Sequence, residues 1–187
     1  MASASVQLDL AIHAAVGKKY VAFIRRHLPM AHALLSPALC ELSLAMVGDR
    51  AMADLHVQFM GIEGPTDVLT FPLEHDDGGN VVSGEVVICV PEAARQAKER
   101  KITVEFELLL YALHGMLHLC GFDDKTAPGF RMMHKKEDEI LTRIGLGPIF
   151  AVPGSAGRDG PTGKKSRASG RLRSPGTGEH SRKVGAR

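Results

Sequence analysis

Tryptophan is absent from this sequence, and tyrosine occurs only twice. A chain so poor in large aromatic side chains is not built to stack sugars or to cage alkylammonium groups. Cysteine is scarce. Cys40, Cys89 and Cys120 form no C-x-x-C pair, which excludes a disulfide scaffold. Their hydrophobic neighbours predict reduced, buried thiols with no disulfide partner, as expected of a cytoplasmic protein. Long apolar runs are also missing, because His114 and His118 interrupt the most apolar stretch and leave no membrane span. The first ten residues lack the basic-then-apolar order of a signal peptide. No internal repeat is present.

What is there divides in two. The chain has 187 residues, 44% of them hydrophobic, enough for one domain with a real core. Its 23 Lys and Arg nearly balance 21 Asp and Glu, but residues 151–187 hold nine basic against two acidic side chains. In the same segment 16 of 37 residues are Gly, Ser or Pro. Too little apolar surface remains there to offset ordering entropy, so residues 151–187 are expected to be a disordered basic tail. It is either a solubilising extension or an arm that contacts nucleic acid through its phosphates. Residues 1–150 form the expected domain.

Within that domain the periodicity predicts four strands and five helices. Strands are expected at 6–12, 40–47, 68–71 (stopped by Pro72) and 84–90. Helices are expected from residue 14 to about 35 (ended or kinked by Pro29), from Asp49 as cap to about 59, and from Pro91 to about 100. Two more follow from Thr103 to a stop at Gly121 and from about 128 to 144. Residues 74–80 read as a polar turn. The helix after Thr103 is apolar nearly all round and should be the central buried one.

Chemistry concentrates in Leu113-His114-Gly115-Met116-Leu117-His118-Leu119-Cys120-Gly121-Phe122-Asp123-Asp124. His114 and His118 stand four apart on one helical face, a spacing that lets two imidazoles meet one tetrahedral metal. Gly121 can take the left-handed conformation that turns the chain back. Asp124 then swings over the same face as a third ligand, leaving an open position, the mark of a catalytic metal. Asp123 is the rival third ligand. If Asp124 binds, Asp123 can orient an imidazole or cap the turn. Cys120 points away around the helix and is expected to pack in the core. His13, His27, His32, His56, His75 and His180 have no ligand spacing, and His134, though nearer in sequence, lies on a helical face opposite any i, i+4 partner. The pattern H-x-x-x-H-x-x-G-x-x-D is similar to that of metzincin proteases, but those carry a general-base Glu where this chain has Gly115, which argues against peptide hydrolysis.

The run His-Gly-Met-Leu-His-Leu-Cys-Gly-Phe-Asp more closely resembles the YbeY-type endoribonucleases, or ribosomal RNA maturation factors, whose pattern is H-G-x-L-H-L-x-G-Y-D-H. Two further stretches are similar to that family: Gly64-Pro-Thr-Asp-Val-Leu-Thr-Phe-Pro72 and Ser83-Gly-Glu-Val-Val-Ile-Cys89. Met133, Glu137 and Ile140 fall in register with its last helix. The resemblance covers about residues 54–145. It implies an α+β fold, a four-stranded mixed sheet flanked by about five helices with a zinc-binding helix alongside. It also implies a zinc-dependent, single-strand-selective endoribonuclease, with one Zn(2+) per chain, acting in small-subunit ribosomal RNA maturation and ribosome quality control. Ribosomal RNA and the small ribosomal subunit would be its partners. Thr66 and Asp67 lie where the family's cleft loop would be, and Ser83 and Glu85 are further cleft candidates. Two departures stand out. Asp124 replaces the family's third His ligand, and Phe59-Met60-Gly61 replaces Tyr-Arg-Gly, removing a phosphate-clamping arginine. An assembly factor with a structural metal and little catalysis is the alternative.

Overall fold

A computed structural model describes residues 7–35 and 37–150. The expected tail at 151–187 lies outside the described residues, as do His180 and the first residue of the expected opening strand.

The fold is α+β. Strands β1 (Asp9–Ala14), β2 (Glu41–Val47), β3 (Val68–His75) and β4 (Val81–Cys89) form one sheet in the order β1-β2-β4-β3. β1 pairs parallel to β2 and β2 parallel to β4, whereas β3 runs antiparallel to β4. The helices are α1 (Val21–Leu35), α2 (Asp49–Met60), α3 (Val90–Arg100), α4 (Val104–Leu119) and α5 (Ala127–Arg143). A short 3-10 turn, Lys18–Tyr20, precedes α1.

Helix α4 is the axis of the core. It buries twelve of its sixteen residues, because its surface is apolar nearly all round. Leu42, Leu44 and Met46 of β2 and Val86 and Ile88 of β4 form its floor, and Ile24, Leu28 and Ala31 of α1 pack into the same core. The opposite sheet face carries a smaller cluster of Met52 from α2 with Leu69, Val87 and Cys89. No single described helix is long and apolar enough to cross a membrane. The three cysteines are unbridged, and burial pushes the thiols of Cys89 and Cys120 up to about 12 and about 11.

Three local expectations are corrected. Pro72 does not stop β3, which continues to His75 with a register slip between Pro72 and Glu74. β3 is an edge strand, where a missing N–H leaves no ladder bond broken. Pro29 does not end α1, which runs on to Leu35. Burial of Ile24, Leu28, Ala31 and His32 on both sides of it offsets the lost backbone bond. Asp49 does not cap α2; the cap position is Gly48, and the Asp49 carboxylate instead accepts from Arg95 at 2.7 and 3.0 Å, tying α2 to α3.

Close approach of α4 to the sheet explains Gly115. A Cβ there would sit 2.6 and 2.9 Å from the two methyls of Val86. Valine is stiff about χ1 and cannot turn both methyls away. Gly115→Ala is therefore expected to destabilise the protein by about 1–3 kcal/mol in denaturant unfolding. Gly84→Ala meets only the flexible methyls of Leu119, at 2.7 and 2.8 Å, and should cost less.

Candidate metal centre

The end of α4 builds the site locally. Gly121 adopts φ +92°, and the amides of Gly121 and Phe122 donate back to the carbonyls of His118 and Leu117, each at 3.0 Å. This is a Schellman stop, possible because glycine has no Cβ to oppose the left-handed conformation. It returns the Phe122 carbonyl to the helix, where it accepts from His118 Nδ1 at 2.9 Å. Two residues later Asp124 lies over the histidine face. Thr126 then caps α5, its hydroxyl accepting from the Gly129 amide at 3.1 Å. Gly129 itself lies under the turn, where any Cβ would collide with the Asp123 carbonyl oxygen. Gly129→Ala must displace the turn that carries Asp124. We expect it to lower divalent-metal affinity about 10–100-fold, the range seen when a ligand loses its support, in competition with a chromophoric chelator.

His114, His118 and Asp124 each present a ligand atom, all within 4.8 Å of one another. The two Nε2 atoms are 3.0 Å apart, and Asp124 oxygens lie 3.5 Å from His114 Nε2 and 3.6 Å from His118 Nε2. The opposite edges of the rings determine what these atoms are. His114 Nδ1 donates to a Glu137 carboxylate oxygen at 2.7 Å, and His118 Nδ1 donates to a carbonyl. Both partners only accept, so in each neutral ring the proton is on Nδ1 and Nε2 holds a lone pair. Burial, then the nearby His114, lowers the His118 pKa below its ordinary value and favours that neutral form. Two lone pairs and a carboxylate thus converge with no proton between them. Such an arrangement fits a cation. Ligand atoms around a tetrahedral zinc lie roughly 3.3 Å apart, close to the separations here. His114 is fully buried, while His118 retains 12% exposure, which leaves the approach to the site on the His118 side.

The sequence reading missed the support behind His114. Glu137, on α5, is fully buried, and its second carboxylate oxygen accepts from His134 Nδ1 at 2.7 Å. Ligand spacing alone does not bring His134 to the site; its part is to hold Glu137. Its i, i+3 spacing to a glutamate flanked by the apolar Met133 and Ile140 was the available clue. Burial pushes the Glu137 pKa up, but the hydrogen bonds and charges of His114 and His134 outweigh it and bring it down to about 2.

The remaining candidates lie elsewhere. Asp123 accepts from the Lys125 amide at 3.3 Å and so caps the turn. Thr66 donates to Asp67 at 3.1 Å, and Asp67 also accepts from the Val68 amide at 2.9 Å, an arrangement that shapes the start of β3. Ser83 sits at the register irregularity opposite Glu74 and makes no hydrogen bond to the three clustered residues. Glu85 alternates with Gly84 and Val86, which meet α4, so it projects from the other sheet face. Glu85 is thus separated from the histidines by the sheet. Met60 packs against the Met52–Leu69–Val87–Cys89 cluster, also away from α4. A glutamate at position 115 would have no space beside Val86, so the protease reading fails on sterics as well as on chemistry.

Known proteins are similar to this chain over most of its length. Residues 8–145 match the family model described as Endoribonuclease YbeY. The chain is 38% identical over 141 residues to Endoribonuclease YbeY of Moorella thermoacetica, spanning 70% of this chain and 90% of that protein. It is 39% identical over 144 residues to Endoribonuclease YbeY of Frankia alni, spanning 66% and 80%. A solution structure of TM1509 from Thermotoga maritima is similar at a TM-score of 0.51 and 29% identity, covering 79% of this chain and 99% of that one.

Proposed function

This chain belongs to the Endoribonuclease YbeY family, and from that premise we propose that it is a zinc-dependent endoribonuclease that cuts single-stranded RNA during small-subunit ribosomal RNA maturation and ribosome quality control. His114, His118 and Asp124 hold one Zn(2+) per chain. The observation that carries this is the convergence of two Nε2 lone pairs and a carboxylate with no proton among them. When bound, the metal supplies a Lewis acid for a phosphodiester oxygen and lowers the pKa of water. The chain's own residues do the rest. Glu137 and the Phe122 carbonyl keep the protons of both imidazoles on Nδ1, so that Nε2 stays available. Asp124 brings a negative charge where the related pattern has a neutral imidazole, which widens the range of metals accepted. Asp123 holds the turn. The free thiols support a cytoplasmic location.

The test is cleavage of a fluorogenic single-stranded RNA by the purified protein, against a His114→Ala/His118→Ala variant purified identically. Cleavage by the parent alone, abolished by chelator and restored by zinc, is the expected result. Equal signals from both proteins would overturn the reading.

Met60 favours a second reading, a ribosome assembly factor with a structural metal. Where the resemblance has a phosphate-clamping arginine, this chain packs a methionine into an apolar cluster. The basic segment 151–187 offers replacement cations. Deleting it should cut both RNA turnover and the salt dependence of binding to small ribosomal subunits. Unchanged turnover would remove the segment from the mechanism, and salt-sensitive binding without turnover would favour the assembly factor.

A further inference from the structure

The first turns of α5 carry a second feature. Phe130 is 46% exposed, and its ring meets His134 edge-on with centroids 4.1 Å apart. His134 in turn stacks on Phe150 at 3.8 Å. These three rings, with Arg131, Lys135 and Asp138, line an open groove of about 350 Å³. That size is at the small end of ligand sites and suits one planar group. The acid in the lining is occupied, since Asp138 Oδ1 accepts from the amides of Ile149 and Phe150 at 2.7 and 3.0 Å. This bond also holds the Phe150 ring on the groove. The bases are available. Among the described residues neither Arg131 nor Lys135 has an ion pair, whereas Lys136 and Arg143 both pair with Glu139. The chain then passes from Phe150 directly into the segment with nine Lys and Arg.

The groove is joined to the candidate metal centre by two short bonds. His134 donates to Glu137 and His114 donates to the other oxygen of the same carboxylate, each at 2.7 Å. The groove therefore lies one buried side chain behind a metal-facing imidazole.

We propose that this groove is a base-stacking subsite for single-stranded RNA, in which a base of the bound strand, outside the cleavage step itself, stacks on the exposed ring of Phe130 and Arg131 and Lys135 hold adjoining phosphates. Exposed aromatic faces interleaved with unpaired cations are the recognition chemistry of single strands, since every base has a stacking face and the phosphates need only charge. An apolar protein segment would leave the two cations without partners. A duplex would present no free base. The proposal rests on the endoribonuclease reading.

The lack of tryptophan gives a direct test. A Phe130→Trp variant of the full chain, loaded with zinc, carries one indole at the proposed stacking position. Titration with a 2′-O-methyl oligouridine should quench its emission in parallel with the anisotropy rise of the labelled strand. An abasic strand of equal charge should bind more weakly and leave the emission unchanged. Phe130→Ala should weaken binding about 5- to 150-fold, the equivalent of about 1–3 kcal/mol for one stacked base. Zinc stoichiometry equal to the parent's would show both variants to be folded. If the strand binds but neither quenches the indole nor weakens on Phe130→Ala, the subsite is refuted and the endoribonuclease reading stands. If no strand binds the parent at all, the endoribonuclease reading falls, and the subsite with it.

Discussion

Replacing His118 with alanine should abolish zinc retention and reduce RNA cleavage by on the order of 10³-fold or more, because Lewis-acid stabilisation worth several kcal/mol disappears with the metal. Among the described residues three protein atoms converge at the centre, so the loss of one leaves too few to hold a tetrahedral ion. Asp124→Ala should be nearly as severe, since it removes the only negative charge in the trio. The double variant His114→Ala/His118→Ala should be no worse than either single variant, because residues that act as one unit are not additive. Metal content by mass spectrometry and single-turnover cleavage read the two effects separately. A His118→Ala protein that keeps its zinc would place the ion elsewhere. One that loses zinc but keeps turnover would make the metal structural. Asp124→His should retain zinc, because the incoming imidazole is also a tetrahedral ligand.

Glu137→Gln should lower metal affinity about 10–100-fold without touching the metal's own ligands. The carboxylate accepts from His114 and His134 at once. An amide can accept from only one and must point its NH2 at the other. If it faces His114, that ring has to move its proton to Nε2, where it blocks the metal. His134→Phe separates this tautomer effect from packing, since it keeps a ring against Phe150 and leaves Glu137 free to serve His114. It should bind metal better than Glu137→Gln.

The same carboxylate has a pH signature. Glu137 is held at about 2 in the fold, below its ordinary 4.5. Its stabilising contribution is fully present above pH 4.5 and lost as pH falls toward 2. The His118 pKa is also lowered in the fold, from 6.5, by burial and by His114. Stability from this group is present above pH 6.5 and lost as pH falls below it. The metal-free protein should therefore show its Tm falling in two stages, below pH 6.5 and again below pH 4.5. Glu137→Gln should shrink the second stage, leaving the part that comes from carboxylates such as Asp49, whose pKa the Arg95 hydrogen bond lowers. A parent Tm that stays flat between pH 6.5 and 5 would contradict the buried, neutral His118.

The comparison of residues with structure divides by distance along the chain. The pair His114 and His118, the Gly121 stop and Asp124 all lie within eleven residues, so helical spacing and one left-handed turn suffice to place them. The number of strands and helices followed from hydrophobic period together with proline, glycine and cap signals, and the burial of α4 from its apolar surface. The stop at Pro72 was misjudged, and of the two outcomes open for Pro29 the helix end does not occur, because a proline's cost depends on which backbone bond it removes and on what surrounds it. The edge position of β3 and the packing of α1 supply that answer.

Residue types and short spacings were enough for the family and the three candidate ligands, because that geometry is local and those residue types are chemically restrictive. What stands behind and around them became visible with the packing of the elements. Glu137 comes 23 residues after His114, and its spacing to His134 does not say that a second imidazole meets it across the core. Glu85 looked like a cleft residue until the close approach of Gly115 to Val86 settled which sheet face α4 covers. Partners across a core depend on how whole elements pack, and that packing arises from summed burial rather than from any short run of residues.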